Sequence, residues 1–364
     1  MKITVNKEAF VNGLQLVHGA VGARPTLPVL SNVLLQAKQK KLWLTTTDLE
    51  ISVRCSIEAE IDKPGATTLP EKRLLSIVRE LPVETINIDV TEGHKAKITS
   101  GAAYFKIHGQ ADEEFPPLPE LSGGNSYTVD RLALKNMLQR TSYAASTDET
   151  RFVLNGNLFS FKNEKLVVVA TDGRRLALAE QEVDFPKEAE AELVVPSKTI
   201  TELLKTLNGE GPMKIHAVKN QIAFEVDDTL LVSKLIEGQY PNFRQVIPAH
   251  TEQRIVVERE MLLTVIRRVS LLISDKAFSV KLTFAKNKLT VSASAPEVGE
   301  SEESMPIKYS GKEISIAFNP DYVMDPLKNI ENDEIYLELT DETGPGVIKC
   351  DGAFLYVLMP VRGN

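Results

Sequence analysis

The stretch SYTVDRLALKNMLQRT (126–141) decides how this chain folds. Its first four residues alternate polar and apolar, as a half-buried strand does, and from Asp130 onward Leu132, Leu134, Met137 and Leu138 fall at helical spacing. A strand therefore runs directly into an amphipathic helix. The same order stands about 125 residues to either side, where KITV precedes KEAFVNGLQLVHGA (7–20) and RIVV precedes EREMLLTVIRRVS (258–270). Two β-rich runs around a short polar turn follow each helix: VLLQA and LWLTTTD, NLFSF and LVVVATDG, VKLTF and LTVSAS. Such pairs read as hairpins.

A second unit of the same kind closes each third. It begins TTLPEKRLLSIVREL (67–81), ELVVPSKTITELLKTL (192–207) or ISIAFNPDYVMDPLKNI (314–330), and further strands follow, such as INIDV, KAKITS and AYFKIHG in the first third. One strand–helix coincidence carries little weight in a mixed protein; six in one order, at two nested periods, indicate a repeat. The expected fold is α+β: three repeated domains, each of two βαβββ modules with antiparallel sheets. The Pro-containing links EEFPPLPELSGGN (113–125) and YPNFRQVIPAHTEQ (240–253) put the domains at 1–124, 125–250 and 251–364. Predicted helices span 6–20, 71–80, 130–141, 197–207, 258–270 and 319–330, and Pro326 is expected to kink or break the last.

Hydrophobic residues make up 43% of the 364 and charged residues 25%, the balance of a soluble multidomain protein. No apolar run marks an export signal or a membrane span. Cys55 and Cys350 lie far apart in strand-like stretches, which suits a reducing cytoplasm better than a disulfide or a thiolate metal site. The net charge of −8 argues against a surface coated in cations for nucleic acid. Yet the six predicted helices hold thirteen basic and nine acidic residues, so they carry +4 and the remainder −12. Helices turned toward phosphate, with acidic sheets and loops outside, would give that asymmetry. Ordinary charge on solvated helix faces would give it equally.

An enzyme should show its constellation. The chain has no phosphate-binding P-loop, no HExxH, no GxSxG and no paired CxxC. His18, His94, His108, His216 and His250 are dispersed, without ligand spacing. Asp48 and Asp172 recur in TTTDLE and VATDG at the same place in two repeats, the position of a turn cap more than of a catalytic pair. No cofactor and no metal is expected; a catalytic site hidden between domains stays open at this stage.

Over its whole length the chain resembles the bacterial DNA polymerase III β subunits, the sliding clamps. The resemblance lies in GARPTLPVLSNVLL (22–35), LTTTDLE (44–50), LNG (154–156), VATDGRRLA (169–177), VVPSK (194–198), SKL (233–235), YPNFRQVIP (240–248) and YVLMPVR (356–362), in family order. It implies a non-catalytic processivity factor in the cytoplasm, on the nucleoid. Such a protein encircles double-stranded DNA as a head-to-tail homodimer. Through short linear peptides it would tether the catalytic subunit of the replicative polymerase, the clamp loader, translesion polymerases and mismatch-repair proteins. A clamp-like protein outside replication is the alternative.

Carried over by motif, the peptide pocket comprises Leu154, Thr171, Gly173, Arg174, Arg175, Leu176, Pro241, Val246, Val357, Met359, Pro360, Val361 and Arg362. An apolar floor would bury a ligand's Leu or Phe while the arginines orient it. Read alone, TDGRR is as well explained by a hairpin turn. The matched phosphate contacts are Arg24, Arg73 and Lys198; Phe105 and Ile107 would meet Leu272 and Ile273 of a second copy, with ordinary core burial the competing account. Helices packed about 10 Å apart give six a hole of only ~9 Å and twelve a hole near ~28 Å. Duplex DNA, roughly 20 Å across, therefore demands two chains. The chain departs from the family at Arg174, Gln245, Val361 and the Gly363–Asn364 tail, which predicts a shifted peptide preference. Phe152 and Val153 stand where the family often has an aromatic pair, which puts stacking on single-stranded template in doubt.

Overall fold

The computed structural model describes residues 1–22, 27–119, 121, 123–273, 279–295 and 298–361. The first third contains β1 (Lys2–Asn6), α1 (Lys7–His18), β2 (Asn32–Lys38), β3 (Lys41–Thr47), β4 (Ile51–Glu58), β5 (Glu60–Lys63), β6 (Gly65–Pro70), α2 (Glu71–Glu80), β7 (Thr85–Thr91), β8 (Lys95–Ser100) and β9 (Ala103–His108). The second contains β10 (Asn125–Asp130), α3 (Arg131–Thr141), β11 (Gly156–Lys162), β12 (Lys165–Thr171), β13 (Arg175–Glu182), β14 (Ala191–Pro196), α4 (Ser197–Thr206), β15 (Pro212–Val218), β16 (Gln221–Val226) and β17 (Thr229–Lys234). The third contains β18 (Gln253–Glu258), α5 (Arg259–Val269), β19 (Val280–Ala285), β20 (Lys288–Ala295), β21 (Gly299–Pro306), β22 (Ile314–Phe318), α6 (Pro320–Asn329), β23 (Glu334–Leu339), β24 (Gly346–Lys349) and β25 (Phe354–Leu358). Apart from β5, this is the βαβββ order six times over.

Contacts group these residues into two units, Met1–Leu132 with Lys198–Leu235 and Ala133–Ser197 with Ile236–Asn364. In the first, an eight-stranded antiparallel sheet runs β10-β15-β16-β17-β4-β3-β2-β6 beside a five-stranded one, β5-β1-β7-β8-β9. Strand β17 of the second third pairs with β4 of the first, placing Ser233 opposite Ile51. In the second unit the sheets run β14-β11-β12-β13-β25-β24-β23-β18 and β21-β20-β19-β22. There β25 of the last third pairs with β13 of the middle one, placing Leu358 opposite Arg175. Each third is thus joined to the next by one continuous sheet.

Local chemistry explains the elements. Asn6 caps α1 by accepting from the Ala9 amide at 3.1 Å, and Asn319 caps α6, whose first residue is Pro320. The hairpins after β2 and β11 turn at Gln39–Lys40 and Asn163–Glu164, both pairs at positive φ as a tight turn between right-twisted strands requires. Helix α1 buries Phe10, Leu14 and Val17 against its sheet, and a Cβ at Gly13 would come within 3.1 Å of Ile57.

One device recurs in all three thirds. The basic residue that opens the first helix donates to a carbonyl at the end of the second: Lys7 Nζ to Leu81 O at 2.5 Å, Arg131 Nη1 to Asn208 O at 2.8 Å, Arg259 Nη1 to Leu327 O at 2.9 Å. Each satisfies an orphan acceptor where a cation is favoured.

Of the two outcomes expected of Pro326, a kink or a break, the structure excludes the break. The helix runs through it to Asn329, and the Pro326 carbonyl still accepts from the Ile330 amide at 3.0 Å. The acceptor that Pro326 leaves without an amide is Tyr322 O, four residues back. The Tyr356 hydroxyl donates to it at 2.8 Å.

Candidate functional site

The turn between β12 and β13 builds one wall of a small cavity. Asp172 Oδ1 accepts from the Arg174 and Arg175 amides at 2.8 and 3.0 Å, and Thr171 Oγ1 accepts from the Gly173 amide at 3.1 Å. Gly173 sits at φ +86°, where side chains other than glycine's are strained. The opposite wall comes from β25: its register sets Val357 across from Leu176, and the Met359 amide continues the ladder to Arg174 O at 2.9 Å.

Thr171, Gly173, Arg174, Arg175, Leu176, Val246, Val357 and Met359 line the resulting cavity of about 130 Å³. Leu176 and Val357 also belong to the apolar cluster beneath it, with Tyr240 and Phe243, and Leu154 packs against that cluster. The rim holds large apolar side chains in solvent: Val246 is 48% exposed and Met359 45%. Exposed apolar side chains gathered around a concave floor mark a binding surface.

Eight of the thirteen motif-matched pocket residues thus line one cavity. Pro241 is exposed and Pro360 partly buried, both outside its lining. Val361 is exposed and donates its amide to Ala317 O at 2.8 Å. Arg362 lies outside the described residues.

The two arginines behave differently. Arg174 is exposed. Arg175 has a side chain only 10% exposed; its Nε donates to Asp172 Oδ2 at 3.0 Å and its Nη2 to Tyr143 O at 2.7 Å, with Asp325 at its remaining nitrogen. The guanidinium also lies 4.4 Å over the Tyr322 ring. Burial holds the Tyr143 and Tyr356 phenols well above their ordinary pKa, so they stay neutral around it. Arg175 therefore braces the wall against α6.

Of the expected phosphate contacts, Arg73 is exposed on α2 and edges an open depression with Lys72 and Ser76. Lys198, on the first turn of α4, is half-exposed and ion-paired with Asp48. Arg24 falls outside the described residues. Among the four expected interface residues Phe105 is 38% exposed and Ile107 7%, while Leu272 and Ile273 are partly buried. The neighbouring Leu271, 79% exposed, escaped sequence reasoning, which took only Leu272 and Ile273 from that segment. Asp325 and Tyr143 escaped as well, and so did the pairing of Asp48, read as a turn cap, with Lys198: none of these stands near its partner in sequence.

No helix of the described residues is long and apolar enough to cross a membrane. Nor do they gather His, Cys, Asp and Glu as a metal would need.

Comparison with known proteins gives one answer along the whole chain. The N-terminal, central and C-terminal domain models of the DNA polymerase III beta subunit match residues 1–119, 128–242 and 244–362. The beta sliding clamp of Chlamydia pneumoniae is 35% identical over 362 residues, covering 100% of this chain and 99% of that one. That of Escherichia coli strain K12 is 33% identical over 367 residues, covering all of both. The sliding clamp of Bacillus subtilis superimposes with a TM-score of 0.94 at 30% identity. A Pseudomonas aeruginosa clamp bound to griselimycin does so with 0.95 at 31%, and both structures cover 100% of each chain.

Proposed function

The chain belongs to the DNA polymerase III beta subunit family, the sliding clamps, and from that premise we propose that its ring closes through strands β9 and β21 and that partner peptides dock beside Arg174. Its role is to hold a polymerase on DNA and confer processivity, and it catalyses no reaction.

The observation that carries the closure is the rule of the two joints. At each, the last strand of one third's first module pairs with the last strand of the next third's second module: β4 with β17, β13 with β25. The strands left over by that rule are β21 and β9, and among the described residues each is an edge of its sheet with a partner on one side only. Free edges invite pairing. Because six helices leave too small a hole, the two edges meet on different copies, twice per ring.

Hairpin register supports one particular alignment. The Ser233–Ile51 and Leu358–Arg175 pairs hold equivalent places, and their counterparts in β9 and β21 are Ile107 and Gly299. Continuing from there sets Lys106 against Glu300 and Tyr104 against Glu302. Opposite charges then face across the joint. Phe105 and Ile107 of one copy would lie near Leu272 and Ile273 of the other, with Leu271 added to that contact.

For docking, the apolar floor of Leu176 and Val357 takes a ligand's aliphatic or aromatic side chain, Met359 adapts to it, and Arg174 fixes its orientation. Polymerase catalytic subunit, clamp loader, translesion polymerases and mismatch-repair proteins would compete for this pocket, on the nucleoid. The phosphate contacts are Arg73 and Lys198, with Arg24. Domains at 1–124, 125–250 and 251–364 complete the reading.

The test is topological. A closed ring slides off linear duplex DNA and persists on a nicked circle. Equal loss from both would overturn encirclement.

A further inference from the structure

Asp48 and Asp172 occupy the same place in two repeats and perform the same first task. Asp48 Oδ1 accepts from the Glu50 and Ile51 amides at 2.9 and 2.8 Å, as Asp172 Oδ1 does from the Arg174 and Arg175 amides. Their second oxygens part ways. Asp172 Oδ2 is taken by Arg175 Nε; the residue in Arg175's place at the first turn is Ile51, buried and apolar. Asp48 Oδ2 is thereby left for a cation from elsewhere, and Lys198 supplies it.

The aspartate is a fixed partner. Its side chain is 16% exposed against 50% for Lys198. The next residue, Leu49, stands at φ +77° where the other turn has Gly173, so a bulky side chain is held in the left-handed region by the surrounding bonds. On the far side of the turn Lys234 grips Glu50, with Nζ to Oε1 at 3.0 Å and its amide to the Glu50 carbonyl at 2.9 Å. The carboxylate cannot swing away without undoing the turn.

We propose that Asp48 is a positioning residue that weakens the grip of Lys198 on DNA, acting as a built-in competitor for phosphate. This rests on the reading of Lys198 as a phosphate contact. A free lysine that neutralises a phosphate releases close to one condensed counter-ion, and that release drives binding. A lysine already paired must exchange one anion for another, and the vacated carboxylate recruits a cation from solution. The gain is small. A clamp has to hold DNA by topology and move along it, so a contact that is kept shallow suits it.

The test uses the intact dimer and a fluorescein-labelled linear duplex, with binding followed by anisotropy between 50 and 200 mM salt. Asp48→Asn keeps the capping oxygen and removes the charge. It is expected to bind roughly threefold tighter at the lowest salt, and its slope of log K against log salt should steepen by about one. Lys198→Ala should weaken binding, and the double variant should match Lys198→Ala alone. Asp48→Ser, whose hydroxyl still offers the turn an acceptor, should repeat the steepening and guards against a misfolded first variant.

Unchanged affinity and slope in both Asp48 variants, with Lys198→Ala weakened, would overturn the proposal and leave the phosphate reading standing. No effect from any variant would overturn both. A gain that persists without Lys198 would also overturn it, because the aspartate would then be acting on DNA directly.

Discussion

Arg175 Nε lies 3.0 Å from Asp172 Oδ2, inside the same turn that walls the cavity beside Met359. The guanidinium is enclosed by Asp325, the Tyr143 carbonyl and the Tyr322 ring, so it acts as a strut between that turn and α6. Removing one member of such a group strands the others. Arg175→Met is expected to cost about 3 kcal/mol of stability, seen as a lower denaturant midpoint, because Asp172 loses its cation and Asp325 keeps only the longer contact with Lys328 at 3.6 Å, both carboxylates being mostly buried. A midpoint within experimental error of the parent would show that the strut bears no weight.

The docking pocket makes a complementary prediction. Met359 and Arg174 are exposed in the free chain and have little to lose on truncation. Met359→Ala should leave the midpoint and the dimer mass unchanged while weakening a hydrophobic partner peptide about tenfold, near 1.4 kcal/mol. Titration calorimetry with one peptide reads both affinity and stoichiometry. Unaltered affinity would place the ligand elsewhere.

Much of this was legible from the amino-acid order. Helices begin and end within two residues of the spans that apolar periodicity predicts, because each element lies half-buried on a sheet and its period is imposed by that single face. Eight of the thirteen motif-matched residues do come together around one cavity, because their segments lie on the adjacent strands β12, β13 and β25 and the link before β18. What was hidden is pairing over long separations. Arg175 and Asp325, like Lys198 and Asp48, stand 150 positions apart, and nothing local marks them as partners. Pro326 left a break open for the same reason: the hydroxyl that satisfies the orphaned Tyr322 carbonyl comes from Tyr356, 34 positions on.

Glu71 predicts a pH dependence. It opens α2 with no exposed surface, bonded through Oε2 to His18 Nδ1 at 2.9 Å, and Oε1 has no partner among the described residues. Burial pushes its carboxyl pKa up, and the His18 contact only partly offsets this. A pKa raised on folding means stability that is full below the unfolded value, about 4.3, and is lost as pH rises through the folded one. Glu71→Gln stays neutral and escapes that loss. The stability of the variant relative to the parent should therefore increase from pH 4 to pH 7, measured by urea unfolding at each. A flat or falling difference would mean that the buried carboxylate is compensated by groups not seen around it.

The ring joint gives the sharpest test, because its register was inferred from two others. If Lys106 faces Glu300 across β9 and β21, Lys106→Glu puts like charges opposite each other. A cross-strand pair is worth up to about 1 kcal/mol, and a closed dimer contains two such joints, so the dimer should weaken about tenfold or more. Glu300→Lys alone should do the same. Both together restore opposite charges in exchanged places and should return the dimer to near its original strength, read by sedimentation equilibrium. A register slipped by one residue would turn each side chain to the other face of the sheet. Neither single change would then matter in this way, and the double variant would rescue nothing. Rescue by the pair is therefore specific to the alignment that the β4–β17 and β13–β25 joints share.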